Sequence, residues 1–258
     1  MNNIPIDNIN EFSHLITTFL FILLRSSIFV SLLPVIGSKK LPMQFRIGLA
    51  VFISLLMTPL VDFQVSEDYI PIMVLKEILI GLSLGFTMKV VFLGINMAGS
   101  FISHVMGISV ATSFNPEMGQ STQISEAYGI IAMLFFLVMD AHHEIIFVFV
   151  NSFEILPIGH ADLMTLIPQV LLTGSKFFVV AMKIGAPVIV CLMIVHILSG
   201  FLYKAAPQMN IFFVTLPLNI GLGFFLIIVS MPVLEYVLGV EFTNIKEDMM
   251  RIILSAKG

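Results

Sequence analysis

Charge is scarce in this chain. Of its 258 residues only 11% are charged while 58% are hydrophobic, whereas an ordinary soluble domain carries about 25% charged residues. A soluble globular fold is excluded, and a mean hydropathy of +1.06 points to an integral membrane protein. The 12 basic residues are scattered and the net charge is -4, so there is no electrostatic footprint for nucleic acid. Cysteine is nearly absent: Cys191, in an apolar run, is the only one, which rules out an intrachain disulfide and leaves the redox compartment unread. Lys and Arg are missing from the opening MNNIPIDNINE, so the first apolar run is expected to be a retained helix and not a cleaved leader. Internal repeats and low-complexity segments are missing too. No nucleophile beside a base, phosphate-cradling loop or cofactor fingerprint occurs, so the chain reads as a non-enzyme with no cofactor and no metal.

What is abundant is apolar sequence, in runs at about residues 12–33, 45–61, 70–96, 127–150, 170–200 and 211–238. A spanning helix needs roughly 20 mostly apolar residues, so these runs predict a single all-α membrane domain with no sizeable soluble part. Pro34, Pro42, Pro59, Pro71, Pro157 and Pro168 stand at or near run ends, while Pro187, Pro217 and Pro232 fall inside or near runs and predict bends. The first connection holds Lys39, Lys40 and Arg46 and the next only acids, Asp62, Glu67 and Asp68. Basic short loops favour the cytoplasmic side, so the first faces inward, and alternation places the Lys204 turn inward as well. In the tail NIKEDMMRIILSAKG, Ile245, Met249 and Ile252 recur at near-helical spacing, which predicts a short amphipathic helix.

Arg25, Lys76, Glu77, Lys89, Lys176 and Lys183 lie within the runs, and each costs on the order of 3 kcal/mol at a bilayer centre. Such groups either snorkel to an interface or find partners inside protein. Lys176 and Lys183 are seven apart and share a helix face. Gly81 and Gly85, in ILIGLSLGF, allow another helix to approach closely. The 17 methionines read as flexible core filler. DAHHE, Asp140 to Glu144, has ligand-like residue types, but consecutive helical residues point about 100° apart and do not converge on one ion. A metal would need His160 or Asp162 brought in, and the stretch reads instead as a wetted helix end. One segment is polar and pliant in an oily chain: GISVATSFNPEMGQSTQ, Gly107 to Gln123. Its residues alone fit either a surface connection or a movable plug.

The punctuation of the chain resembles a known family. Arg25, Pro34, Gly37, Pro42, Arg46 and Pro59 are followed by KEILIGLSLGF, NMAGSFISHVMG, FNP, DAHHEIIFVFVNSFEILP and AAPQMNIFFVTLPLNIGLG, in the order found in the flagellar biosynthetic FliR family. Ala141 stands where that family's pattern has glycine. The resemblance covers roughly residues 12–238, and the virulence-secretion counterpart shares much of it.

This resemblance implies an export gate: bent helical hairpins stacked with FliP-like and FliQ-like subunits into a closed helical assembly, through which unfolded flagellar proteins leave the cytoplasm. About 12–168 would be FliP-like, about 170–240 a FliQ-like hairpin and 241–258 a tail. The resemblance further implies the bacterial inner membrane and flagellar basal body, with much of the assembly raised to the periplasmic side. FlhB, FlhA and the basal-body MS ring are the implied neighbours beside membrane lipid. It also makes the central loop a pore plug, with Gly107, Ser109, Phe114, Asn115, Pro116, Met118 and Gly119 as its residues. Arg25, Glu77, Gly81, Gly85 and Gly99 become helix-packing or intersubunit positions, and Lys204, Pro207, Gln208 and Asn210 a cytoplasmic hairpin turn. The competing readings are a virulence secretion gate, a small-molecule secondary transporter with broken helices, and a scaffold in which the loop has no role.

Overall fold

The computed structural model describes residues 6–34, 41–61, 70–108, 123–205, 208 and 211–257. Among them every regular element is helical: α1 (Ile6–Leu32), α2 (Met43–Met57) with a 3-10 turn (Thr58–Leu60), α3 (Ile70–Met106), α4 (Gln123–Val138), α5 (Ala141–Ile155), α6 (Leu163–Ala205), α7 (Ile211–Val229) and α8 (Met231–Ala256). Four are long and apolar enough to cross a membrane, or six spans result if each of two bent pairs, α4 with α5 and α7 with α8, counts as one. Proline marks the expected places: Pro42 is the N-cap of α2, Pro59 lies in the 3-10 turn, and Pro71 and Pro232 fall in first turns, where the missing amide costs least. The 51° bend between α7 and α8 comes at Ser230, just before Pro232. Pro187 and Pro217, by contrast, are carried inside helices that continue through them.

The runs underestimate several helices. α3 goes on past Asn96 through Gly99, Ser100 and Ser103 to Met106, with Gly99 and Ser103 buried within the protein. At 37 residues it is about 55 Å long, well beyond the hydrocarbon thickness. The tail is helical as expected, but as the unbroken continuation of α8, and its stripe is buried: Ile245 and Ile252 are each 1% exposed and Met249 0%. The fourth run is not one helix. It breaks at Met139–Asp140, where Asp140 takes a left-handed φ of 53°.

Contacts divide the chain into two compact units, 1–90 with 140–174 and 243–258, and 91–139 with 175–242. The sequence-based boundaries near 168–170 and 240–241 thus fall within α6 and α8. In the first unit the core is built by Ile22, Phe29, Ile80, Leu84, Val148 and Phe149, with Phe29 and Phe149 stacked at 4.2 Å. In the second, Phe92, Phe136 and Phe242 close an aromatic triangle with centroids 5.6–6.0 Å apart, an edge-to-face arrangement for two of the three pairs. Outward-facing apolar side chains are many, among them Phe213, Phe201, Leu171 and Leu134, as lipid or protein surroundings require.

Candidate functional site

The first unit is organised by one seam. Glu77, Gly81 and Gly85 repeat at helical spacing on α3 and face α1. A Cβ on Gly81 would stand 2.9 Å from the Arg25 carbonyl oxygen, and one on Gly85 would stand 2.7 Å from Leu32 Cβ. Contacting numbers rise together on the two helices, so they run parallel here, nearly backbone to backbone. At the head of the seam Arg25 and Glu77, both 0% exposed, form a two-pronged ion pair, with Nε donating to Oε2 at 2.6 Å and Nη2 to Oε1 at 3.0 Å. A buried charge pair is tolerable only if its remaining hydrogen-bonding capacity is met, and here it is. Arg25 also donates to Ser152 Oγ at 3.2 Å and to the Leu156 carbonyl at 3.3 and 3.4 Å, and lies 4.2 Å over the Phe153 ring.

Leu156 is the C-cap of α5, so the guanidinium sits where a helix terminus leaves carbonyls unsatisfied and favours a cation. Glu77 Oε1 in turn accepts the Gly159 amide at 3.1 Å, while Lys76 Nζ donates to the Gly159 carbonyl at 3.0 Å. Gly159 has a φ of 81°, open to glycine and strained for other residues. The node therefore ties α1, α3 and the turn after α5 together. Sequence reasoning found Arg25, Lys76 and Glu77 as charged groups but not their partners: Leu156 and Gly159 act through a backbone carbonyl and amide, and Ser152 and Phe153 through side chains more than 120 positions from Arg25.

The second unit holds both ends of the pliant loop. Ser109, Phe114, Asn115, Pro116, Met118 and Gly119 lie outside the described residues. Its base is described. Gly107, with φ of 82°, ends α3 in the left-handed conformation common after a helix, its amide bonded to the His104 carbonyl at 3.1 Å. Beneath it Met106 is fully buried across Gly223 of α7, where an added Cβ would come within 2.6 Å. On the other side α3 meets the start of α4. A Cβ on Gly99 would stand 2.5 Å from Ser125 Cα, Asn96 Oδ1 lies 2.9 Å from the Cβ position of Gly129, and Ser125 Oγ donates to the Asn96 carbonyl at 2.9 Å. Numbers run oppositely here, so α3 and α4 are an antiparallel hairpin whose connection is the loop. The seven residues from Gly99 to Met106 carry α3 about 10 Å beyond its contact with Ser125 of α4. Closely packed helix ends thus form a collar at the two ends of the loop.

Of the hairpin-turn residues, Lys204 ends α6 and is exposed, Gln208 is exposed in a turn, and Pro207 and Asn210 lie outside the described residues, as do Lys39 and Lys40. Along the hairpin, Asn219 Nδ2 on α7 is 2.9 Å from His196 Nε2 on α6. Lys183 donates to Glu241 Oε1 at 2.8 Å, linking α6 to α8. Two of the in-run cations, Arg25 and Lys183, thus find carboxylates within the chain.

Long apolar helices with charges satisfied inside protein define a membrane protein. Residues 16–245 match the profile described as Bacterial export proteins, family 1, and the chain belongs to that family of export proteins, which are not enzymes. It is 30% identical over 258 residues to the flagellar biosynthetic protein FliR of Bacillus subtilis (strain 168), covering 95% of this chain and 97% of that one. It is likewise 30% identical over 217 residues to FliR of Escherichia coli (strain K12), covering 82% and 83%, and 32% identical over 233 residues to FliR of Buchnera aphidicola subsp. Acyrthosiphon pisum (strain APS), covering 87% and 90%. The likeness makes the chain a membrane-embedded component of a flagellar export apparatus.

Proposed function

We propose that the chain is a subunit of the flagellar export gate, forming with FliP-like and FliQ-like subunits the channel through which unfolded flagellar proteins leave the cytoplasm. The observation that carries this reading is the family match over residues 16–245 together with the flagellar biosynthetic proteins of Bacillus subtilis, Escherichia coli and Buchnera aphidicola as relatives, which favours a flagellar over a virulence system. Within it, the loop at residues 109–122 helps plug the closed pore. The collar supports this assignment, since an obstruction must be held at its root to close a channel reproducibly, while its small residues let it fold aside. Non-helical backbone at membrane depth is tolerated only where protein or water surrounds it. Phe114 and Met118 supply the apolar constriction, Asn115 and Pro116 its turn, and Ser109 and Gly119 its pliancy.

On this reading the Gly81 and Gly85 seam and the Arg25–Glu77 node set the shape of the protomer against its neighbours. The turn at Lys204, Pro207, Gln208 and Asn210 faces the cytoplasm near FlhB, with FlhA and the MS ring beyond and the complex in the inner membrane. Affinity-tagged chain made together with FliP-like and FliQ-like subunits is expected to emerge from detergent as one particle containing all three. Recovery of the chain alone, active on its own in moving a small solute, would establish the secondary-transporter reading instead.

A further inference from the structure

The start of α5 carries a cluster apart from the Arg25–Glu77 node and the root of the loop. Helical spacing alone separates the side chains of DAHHE, but Asp140 is not helical: its left-handed φ of 53° turns it back beside the first turn of α5. Although Asp140 is the N-cap, its carboxylate makes no capping bond. Oδ1 instead lies 3.4 Å from His143 Nδ1. One donor atom from each of Asp140, His142 and His143 falls within 4.8 Å of the other two, and the two rings are 4.1 Å apart. In a tetrahedral complex with bonds of about 2.0–2.1 Å, neighbouring ligand atoms stand about 3.4 Å apart. The Asp140–His143 separation already meets that value, and side-chain rotation of about 1 Å brings His142 to it.

We propose that Asp140, His142 and His143 bind a divalent transition-metal ion, zinc foremost, through two imidazoles and one carboxylate with a further position open to water. Two nitrogens and one oxygen suit zinc, cobalt, nickel or copper and do not suit magnesium or calcium, which take oxygen ligands. The neighbouring groups leave the triad as the ligand set. Glu144 is held by Lys246 Nζ at 2.7 Å, His160 Nδ1 lies 3.0 Å from the Ile158 carbonyl, and Asp162 bonds its own turn through Met164 and Thr165. Asp140 and His143 are more than two-thirds exposed, so an ion has access, and buried Ala141 anchors the turn beneath them. The helix N-terminus opposes a cation there, but the carboxylate charge and two nitrogen bonds exceed that term.

The test is calorimetric titration of zinc chloride into the full chain, purified in detergent on a histidine-free tag. One equivalent of zinc is expected to bind, with affinity falling by about tenfold or more in His143→Gln and in Asp140→Asn. A His160→Gln variant should bind as the parent does, and excess magnesium should not compete. Absence of zinc uptake by the parent, equal uptake by the His143 and Asp140 variants, or loss of uptake in His160→Gln would each overturn the site.

Discussion

Replacing Arg25 with methionine is expected to destabilise the isolated chain by about 3–5 kcal/mol, the usual cost of removing one partner of a buried pair. The substitution strands more than one group. Glu77, 0% exposed, keeps only the Gly159 amide; the Leu156 carbonyl at the end of α5 loses its donor; Ser152 Oγ keeps only its bond to the Phe149 carbonyl. Glu77→Gln should also destabilise: its amide oxygen still accepts one bond at the site of Oε1, but its NH2 sets donors against the guanidinium and leaves that buried charge without a counter-ion. Removing both charges should be far less harmful than the single losses sum to, since two apolar side chains leave no unpaired ion. Thermal unfolding in detergent across the cycle of Arg25→Met, Glu77→Met and the double variant reads this directly. Additive single losses, or a parent-like Arg25→Met, would mean that the two groups do not meet in the folded chain.

Gly99→Leu is expected to be the most damaging glycine substitution, costing about 3 kcal/mol or more and disordering the root of the loop. Overpacking is mild where a flexible side chain can withdraw. Here the obstacle is backbone, with Ser125 Cα and N at 2.5 and 2.8 Å from the Cβ position, so α3 and α4 must part. Their separation also breaks the Ser125–Asn96 bond and the close contact of Asn96 with Gly129. Gly81→Leu, against the Arg25 carbonyl oxygen, should follow closely and weaken the ion pair with it. Gly200 and Gly221 are the internal controls: nothing lies within 4 Å of their Cβ positions, and alanine there should be neutral or stabilising by up to about 1 kcal/mol in a helix. Comparable damage at Gly99 and Gly221 would show that helix separation is not what limits the fold.

The helical class and the places of the apolar segments were legible because apolar runs and proline speak locally, whereas the breaks that turn six runs into eight helices were not. Gly81 and Gly85 were legible for the same reason: small residues four apart announce a close crossing whatever the partner. What the sequence does not show is the partner. The resemblance makes Arg25 and Glu77 helix-packing or intersubunit positions without joining them to each other; within the chain Glu77 pairs with Arg25, 52 positions away, and Lys183 with Glu241, 58 away. Pairing over such separations follows from the tertiary fold. The end of α3 was underestimated since Asn96, Gly99, Ser100 and Ser103 lower local hydropathy, yet their small size is what admits α4. The break at Asp140 had a signal, a polar cluster inside an apolar run in a residue type that tolerates left-handed backbone.

The most direct measurement is of ion leakage through the assembled gate when the loop is removed. A passage wide enough for an unfolded chain also passes ions, so an idle gate must be obstructed, and an apolar constriction is one means. Replacing Ser109–Gln120 with a short glycine–serine linker leaves Gly107, Gly99 and Ser125, the described root of the loop, in place. In cells making the complete gate, the account predicts that the shortened chain still co-assembles with its FliP-like and FliQ-like partners while membrane conductance rises. A shortened gate that assembles and is as ion-tight as the parent would contradict it, and the loop would be a connection between α3 and α4.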